Sequence, residues 1–478
     1  MLPEREEQLL AELKWLRHNQ ADLDARLQRV EDSLIFRLLR AVGTFYRSNF
    51  QIHGAASIEE YRAWTGRHLK TGPSYNPAWA YQPVIAVHCD EPAPSLQAQT
   101  YPHWTLDPAA ADYTAELPSS VILEPDALAR AVAAIQESRP GVIYFDHQLI
   151  DESGDPLEPV FKPDWSPVLM ESCDYMGPFV LRSREARDGV LHIPEIGYST
   201  RTRIHCKENL PVPTAHPLAS ILICTRDSDL LTRCLTSLRA NTNYPSFETI
   251  VIHHTGSEHD KPIAEIAHAA NVHRVTFTGA FNFSLMNNLG ARSAKGDILV
   301  FLNDDVEPLD PMWLDRMVAR LERPETGVVG AKLLYYNGSI QHAGLVTWEM
   351  GGAGHAGRFL TSSEYWPWLN ATREVSAVTG ACLAIRRADF ETAGGFDTAF
   401  PVNYNDVDLC LRLQERGLSV ILEAGAVLQH DEGQTRAAGV NFEERRRFYL
   451  CWTSRLERVD PFYTPHLSQN DESLTLRG

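Results

Sequence analysis

The chain has 478 residues, 44% hydrophobic and 22% charged, with a net charge of −18. That is a globular composition with room for two or more domains, and it excludes a fibrous or disordered chain. The acidic balance argues against a nucleic-acid-binding protein, whose affinity rests on Lys and Arg neutralising phosphates.

The 8 Cys are scattered without a CxxC pair or zinc spacing, the pattern of a reduced cytosolic protein. The acidic N-terminus opens a helix and does not read as a signal peptide. Leu9, Leu13, Leu16, Leu23, Leu27, Val30 and Leu34 recur at spacings of four and three, with Gln20 at the one polar core position. This heptad repeat within residues 1–45 predicts a coiled coil, and a homo-oligomer through residues 6–38. An amphipathic helix packed on its own domain fits the same pattern. From Ser33 to Gly43, apolar and Arg residues mix as on a helix at an anionic membrane surface or on an ordinary packed helix. The expected place is the cytoplasm, with a peripheral position at the inner face of the membrane left open. No apolar run approaches the roughly 18 residues of a membrane span. Residues 46–80 read as a linker.

An internal repeat follows. Ser95–Trp104 resembles Ser237–Phe247 with one residue inserted, and Val142-Ile-Tyr-Phe-Asp146 parallels Leu299-Val-Phe-Leu-Asn303. Two copies of one α/β unit is the simplest account, the first shortened and confined to residues 81–210. In the second copy, strands are predicted at Ser220–Cys224, Thr249–His253, Val272–Phe277 and Asp297–Leu302. Helices follow them at Leu230–Ala240, Pro262–Ala270, Phe283–Ala294 and Met312–Glu322. Such alternation predicts a parallel sheet with helices on both faces and ligands at the carboxyl ends of the strands. Those ends are Thr225-Arg226-Asp227, His254-Thr255-Gly256-Ser257 and Asn303-Asp304-Asp305, all polar, as a nucleotide site requires.

The last of these is the most specific. The apolar run Ile298–Leu302 stops abruptly at Asn303-Asp304-Asp305, as a buried strand emptying into oxygen ligands. Mg²⁺ and Mn²⁺ take such ligands and often share their coordination with a diphosphate. Further on stand Ser376-Ala-Val-Thr-Gly-Ala-Cys-Leu-Ala-Ile-Arg-Arg387 and Gly394-Gly-Phe-Asp397. Asn403-Tyr-Asn-Asp-Val-Asp-Leu-Cys-Leu-Arg412 and Leu428-Gln-His-Asp-Glu-Gly-Gln-Thr-Arg436 follow.

With these motifs in order over residues 216–440, the chain resembles family 2 glycosyltransferases of the GT-A fold. It is most similar to bacterial, rhamnosyltransferase-like enzymes of O-antigen and other surface-polysaccharide assembly. The resemblance implies an α/β, Rossmann-like catalytic domain at 216–440, a truncated GT-A-like copy at 81–210 and a C-terminal extension at 441–478. It implies that Thr225, Arg226 and Asp227 touch the nucleotide, with Asn303 and Asp304 in the same nucleotide-sugar site. Asp305 would hold Mg²⁺ or Mn²⁺, with His430 near the metal or the diphosphate. Asn288 and Gly290 would support the pocket, and Asp406 would be the catalytic base. Two residues depart from the pattern. His254 stands where the family has the Asp that binds the base, and Asn405 replaces the common Glu before Asp406.

The chemistry asks for these types independently. An inverting transfer needs a carboxylate to deprotonate the acceptor hydroxyl and a cation to stabilise the departing diphosphate. Asp406 also fits a helix N-cap, and His430 a structural histidine. Asp408 with Arg412 fits an i, i+4 ion pair, the reading preferred there. In the first copy, Tyr144-Phe-Asp-His-Gln148 sits where the family has a Tyr-Ser-Asp-Glu-Asp type motif. Gln148 replaces the second carboxylate, so residues 81–210 read as a structural or acceptor-positioning domain. The expected function is metal-dependent, inverting transfer from a nucleotide-sugar donor to a glycan or lipid-linked glycan. One rival is a non-catalytic scaffold, favoured by His254. Another is a nucleotidyltransferase, disfavoured by the Asp406–Arg412 segment.

Overall fold

The computed structural model describes residues 58–68, 75–89, 93–348, 352–362, 366–431, 441–469, 472 and 474–477. The heptad segment, residues 46–57 and 69–74 of the predicted linker and residues 432–436 of the last motif lie outside the described residues; residues 58–68 of that stretch form a helix with Tyr61 and Trp64 buried, so there the linker expectation does not hold. The described chain forms two compact units. The first is Gly54–Lys207 with Ser362–Ala371 and Pro461–Gly478, and the second is Glu208–Thr361 with Thr372–Asp460.

In the first unit, helices α1 (Ile58–His68), α2 (Pro94–Gln97), α3 (Ala127–Ile135) and α4 (Pro167–Ser172) accompany one sheet. Its strands are β1 (Ile85–His88), β2 (Trp104–Thr105), β3 (Tyr113–Glu116), β4 (Val121–Leu123), β5 (Val142–Ile150), β6 (Pro156–Val160), β7 (Val180–Ser183) and β8 (Val190–Thr200). They run in the order β2-β1-β3-β7-β5-β8-β4, with β6 added on β5. Helix α3 places Leu128, Val132 and Ile135 in one buried core with Ile143 and Phe145 of β5, as an apolar stripe at helical spacing does. Strand β5 does not end at Asp146. It continues to Ile150, and Asp146, His147 and Gln148 are all buried within it. Cys173 and Cys206 form a disulfide, so the expectation of a fully reduced chain does not hold for this pair.

The second unit begins with β9 (Ala219–Thr225), α5 (Ser228–Ala240), β10 (Phe247–His254), α6 (Asp260–Ala269), β11 (His273–Phe277), α7 (Phe283–Ser293) and β12 (Ile298–Asn303). These match the predicted alternation to within about two residues, because period and caps agree locally. Next come β13 (Val306–Pro308), α8 (Trp313–Leu321), β14 (Thr326–Leu334), β15 (Ile340–His342) and the hairpin β16 (Leu345–Trp348) with β17 (Gly352–His355). Then follow β18 (Arg373–Glu374), β19 (Cys382–Arg386), α9 (Arg387–Thr392), α10 (Asn405–Glu415), β20 (Ser419–His430) and α11 (Phe442–Leu456). The sheet order is β11-β10-β9-β12-β19-β14-β20-β13. Strands β9 to β12 are parallel to one another, as predicted, but β19 is antiparallel to both β12 and β14. The sheet is therefore mixed.

Gly290 has a packing reason. A Cβ there would lie 2.6 Å from Ile252 Cδ1 and 2.8 Å from Leu222 Cδ2, so α7 can sit this close to β9 and β10 only without a side chain. Among the described residues, no helix is long and apolar enough to cross a membrane.

Helix α8 is bolted to β20 by an ion pair. Arg320 Nε lies 2.6 Å from Glu423 Oε2, and both side chains are almost wholly buried. Glu423 also accepts from Thr372 Oγ1 at 3.0 Å and Gly425 N at 2.9 Å, which satisfies its second oxygen. Breaking such a pair from one side leaves a buried charge without its counterion. Glu423→Ala is expected to lower unfolding free energy by about 3–5 kcal/mol, read from the urea midpoint. A loss below about 1 kcal/mol would show that the pair is not an anchor.

Candidate active site

Strand register builds the centre of the site. β13 pairs antiparallel with the end of β20, Val306 opposite His430. That places Asp305 beside His430, Oδ1 to Nε2 at 3.3 Å, and both side chains are buried. Asp431 N donates to Asp305 O at 3.1 Å and closes the turn. Asp305 Oδ1 and His430 Nδ1 are buried atoms without a hydrogen-bond partner. Among the described residues no third His, Cys, Asp or Glu completes a metal cluster. One carboxylate and one imidazole fit a cation that takes its other ligands from a diphosphate and water. Half-buried Asp304 adds to the demand for positive charge. Burial, with Asp305 and Asp227 nearby, pushes its carboxyl up to about 7 against a hydrogen bond from Thr225.

The neighbouring strand ends divide into braces and open groups. Buried Thr225 donates through Oγ1 to Asp227 O at 3.0 Å. Asp227 caps α5 by accepting from Asp229 N and Leu230 N at 2.8 and 3.0 Å. Arg226 stands exposed between them. His254 ends β10 and donates from Nε2 to Gly279 O at 2.9 Å. Its ring lies near Phe277 and Phe281, and its Nδ1, an acceptor in that tautomer, is buried without a partner. Asn288 engages both amide groups with one residue, accepting from Phe396 N at 3.0 Å and donating to Phe396 O at 2.8 Å. It ties α7 to the turn at Gly394-Gly395-Phe396, so its support for a pocket is indirect.

Asp406 lies in the first turn of α10 but is not its N-cap, which is Tyr404. Its carboxylate accepts from Gly380 N at 2.8 Å and Val407 N at 2.9 Å, and it remains half-exposed. The next residue, Ala381, accepts Asn303 N at 3.0 Å through its carbonyl. The turn before β19 thus touches both Asp406 and the end of β12. Asn405 is buried and donates to Val402 O at 3.1 Å, so it braces the turn and faces inward. Asp408 is buried between Arg412 Nε at 2.8 Å and Trp452 Nε1 at 3.1 Å, the ion pair preferred from sequence.

Sequence reasoning missed His342. Its Nε2 accepts Thr379 N at 3.4 Å, and its Nδ1 lies 3.0 Å from His355 Nδ1. Burial, then the positive neighbours His355, Arg373 and His430, hold it well below the usual histidine range. A histidine buried behind the site leaves no spacing signal in the chain.

The matching position of the first unit is sealed. Asp146 Oδ1 accepts Lys162 N at 2.8 Å and lies 2.9 Å from His192 Nε2. The Lys162 ammonium donates to Phe145 O, to Met176 O at 2.8 Å and to Tyr198 OH at 3.2 Å, and burial pushes its pKa down to about 7. Gln148 accepts from Tyr61 OH at 2.8 Å and donates to Ser199 Oγ at 2.9 Å.

Residues 220–394 match the model of glycosyl transferase family 2. The second unit carries a family 2 glycosyltransferase domain. The chain is 31% identical over 444 residues to the O-antigen biosynthesis protein RfbC of Myxococcus xanthus, covering 77% of this chain and 34% of that protein. It therefore spans about a third of that relative's length. It is 27% identical over 237 residues to the N-acetylglucosaminyl-diphospho-decaprenol L-rhamnosyltransferase of Mycobacterium tuberculosis, covering 43% of this chain and 73% of that protein. Among solved structures, GalNAc-T7 with UDP, GalNAc and Mn²⁺ is similar at a TM-score of 0.42 and 16% identity, covering 50% of each chain.

The sealed first unit generates a prediction. Asp146→Asn should leave sugar-transfer turnover within a few-fold of wild type, since Asp146 is buried against Lys162 N and His192. A loss as large as that of Asp305→Ala would reveal a second working site.

Proposed function

We propose that this protein is an inverting, metal-dependent glycosyltransferase that moves a sugar from a nucleotide donor to a growing surface glycan. The observation that carries this reading is the Gly380-Ala381 turn. It holds the Asp406 carboxylate one residue from the end of β12, where Asp304, Asp305 and His430 gather. Asp305 and His430 would hold Mg²⁺ or Mn²⁺, which when bound neutralises charge developing on the leaving diphosphate. Exposed Arg226 would meet the nucleotide's phosphates or ribose. The Nδ1 of His254 offers an acceptor for an N–H of the base, where the family has a carboxylate. Asp406, with both oxygens steadied by backbone N–H groups, takes the proton of the acceptor hydroxyl as it attacks.

The named activities of the relatives support a glycan on a lipid diphosphate as acceptor, and a deoxyhexose such as rhamnose as the sugar moved. A lipid-linked acceptor would place the protein at the inner face of the cytoplasmic membrane. The heptads of residues 6–38 would then make the oligomer.

Metal removal tests the first half. Asp305→Ala should abolish transfer while the fold survives, and EDTA should inhibit wild type reversibly. Full activity in EDTA would sink the metal assignment.

The base has its own test. Asp406→Asn keeps shape and hydrogen bonding but cannot accept a proton. Removing a general base typically costs about 10² to 10⁴-fold in rate. Transfer should fall by that order in kcat, while calorimetric nucleotide-sugar affinity matches wild type. Retained activity would exclude Asp406 as base, and lost donor affinity would move it into the nucleotide site.

A further inference from the structure

Helix α11 falls within the predicted C-terminal extension at 441–478. Three residues on one of its faces, spaced four apart, engage the segment that carries Asp406. Glu444 Oε2 accepts Val402 N at 3.0 Å and Asn403 N at 2.6 Å. Phe448, one turn on, stacks on Tyr404 with ring centroids 4.5 Å apart and planes within 10°. Trp452, a further turn on, donates Nε1 to Asp408 Oδ1 at 3.1 Å. Glu444, Phe448, Tyr404 and Trp452 are all buried. The contacts bracket Asp406 on both sides in sequence.

The segment needs holding. Tyr404 sits at φ 64°, ψ 0°, in the left-handed region. A bulky aromatic is rare there and costs of order 1–3 kcal/mol, so the conformation persists only where its surroundings impose it. It also sets the direction in which α10 starts, and Asp406 is the second residue of that helix. Glu444 fixes the two peptide groups before Tyr404, and Phe448 fixes its ring.

We propose that Glu444 is a positioning residue for Asp406, with α11 clamping Tyr404 in its left-handed conformation and so aiming the base at the acceptor. The inference rests on the reading of Asp406 as base. A base displaced by about 1 Å can lose on the order of 10²-fold in rate.

The test uses the full chain with Mn²⁺. The donor is whichever nucleotide sugar stabilises wild type most in a thermal-shift panel of UDP-, GDP- and dTDP-sugars. Glu444→Ala is expected to lower kcat about 10- to 100-fold, with donor affinity by calorimetry within about two-fold of wild type. Glu444→Gln keeps an acceptor oxygen toward Val402 N and Asn403 N, and should restore kcat to within a few-fold. A lower melting temperature with unchanged kcat would make Glu444 merely structural and overturn the proposal. So would equal losses in kcat and donor affinity, or a Gln variant as poor as Ala. Should Glu444→Ala fail to fold, Phe448→Leu removes the stacked ring, and unchanged kcat there overturns the proposal too. Asp406→Asn separates the two ideas. If it is active, the base reading falls and takes this inference with it. If it is inactive while Glu444→Ala turns over at full rate, only the clamp falls.

Discussion

The candidate site depends on the pairing of β13 with the last residues of β20. β13 has three residues, but its register puts Val306 opposite His430. Asp305 and His430 are far apart in sequence and meet only because of that pairing. A slip of one residue would turn each side chain to the other face of its strand, since side chains alternate with period two. β20 is itself held in the sheet by its parallel pairing with β14 and by the buried bond between Glu423 and Arg320. The stability of this region and the geometry of the pair are therefore one problem. The acids gathered there oppose it. Burial, with Asp305 and Asp227 nearby, raises the proton affinity of Asp304, so the fold sustains an arrangement that isolated chemistry disfavours.

A second opposed arrangement lies across the Gly380-Ala381 turn. Tyr404 adopts a backbone conformation that a residue of its type avoids. Neighbours over-determine it, through Glu444 before it and the Phe448 ring against it. Strain of this kind gathers at functional sites because it aims a group in a direction the relaxed chain would not take. The polar neighbours of Asp406 divide the work. Asn405 and Asp408 are buried and hydrogen-bonded, while the Asp406 carboxylate between them stays half-exposed.

The alternation from β9 to β12 was legible because each strand is an apolar run and each helix carries its own period and cap. Asp227 and Asn282 cap α5 and α7 as their residue types imply. The end of β12 at Asn303 was legible because the apolar run stops there in three polar residues. The mixed half of the sheet was not legible. β14, β19 and β20 are also apolar runs, but periodicity does not give their direction, and β19 runs against its neighbours. The inward-facing roles of Asn288 and Asn405 were hidden for another reason. Both bind backbone groups, and every residue has those, so no partner residue type marks them in the sequence. The clamp from Glu444 to Val402 N and Asn403 N was invisible on the same ground.

The internal repeat shows how one pattern reaches two outcomes. β5 and β12 begin alike, yet β12 breaks at Asn303 while β5 continues to Ile150. The difference lies in what encloses the carboxylate. In the first unit the chain does so. The backbone N–H of Lys162 and the imidazole of His192 engage Asp146, and β6 and β8 pair along the rest of the strand. With its partner built in, the carboxylate can be sealed in the core, since a buried charge is tolerated when it is paired and hydrogen-bonded. In the second unit the position matching Gln148 is Asp305, at the strand end, with His430 Nε2 3.3 Å from its Oδ1. One copy therefore keeps Asp146 inside its sheet, and the other gathers Asp304, Asp305 and His430 at a strand end.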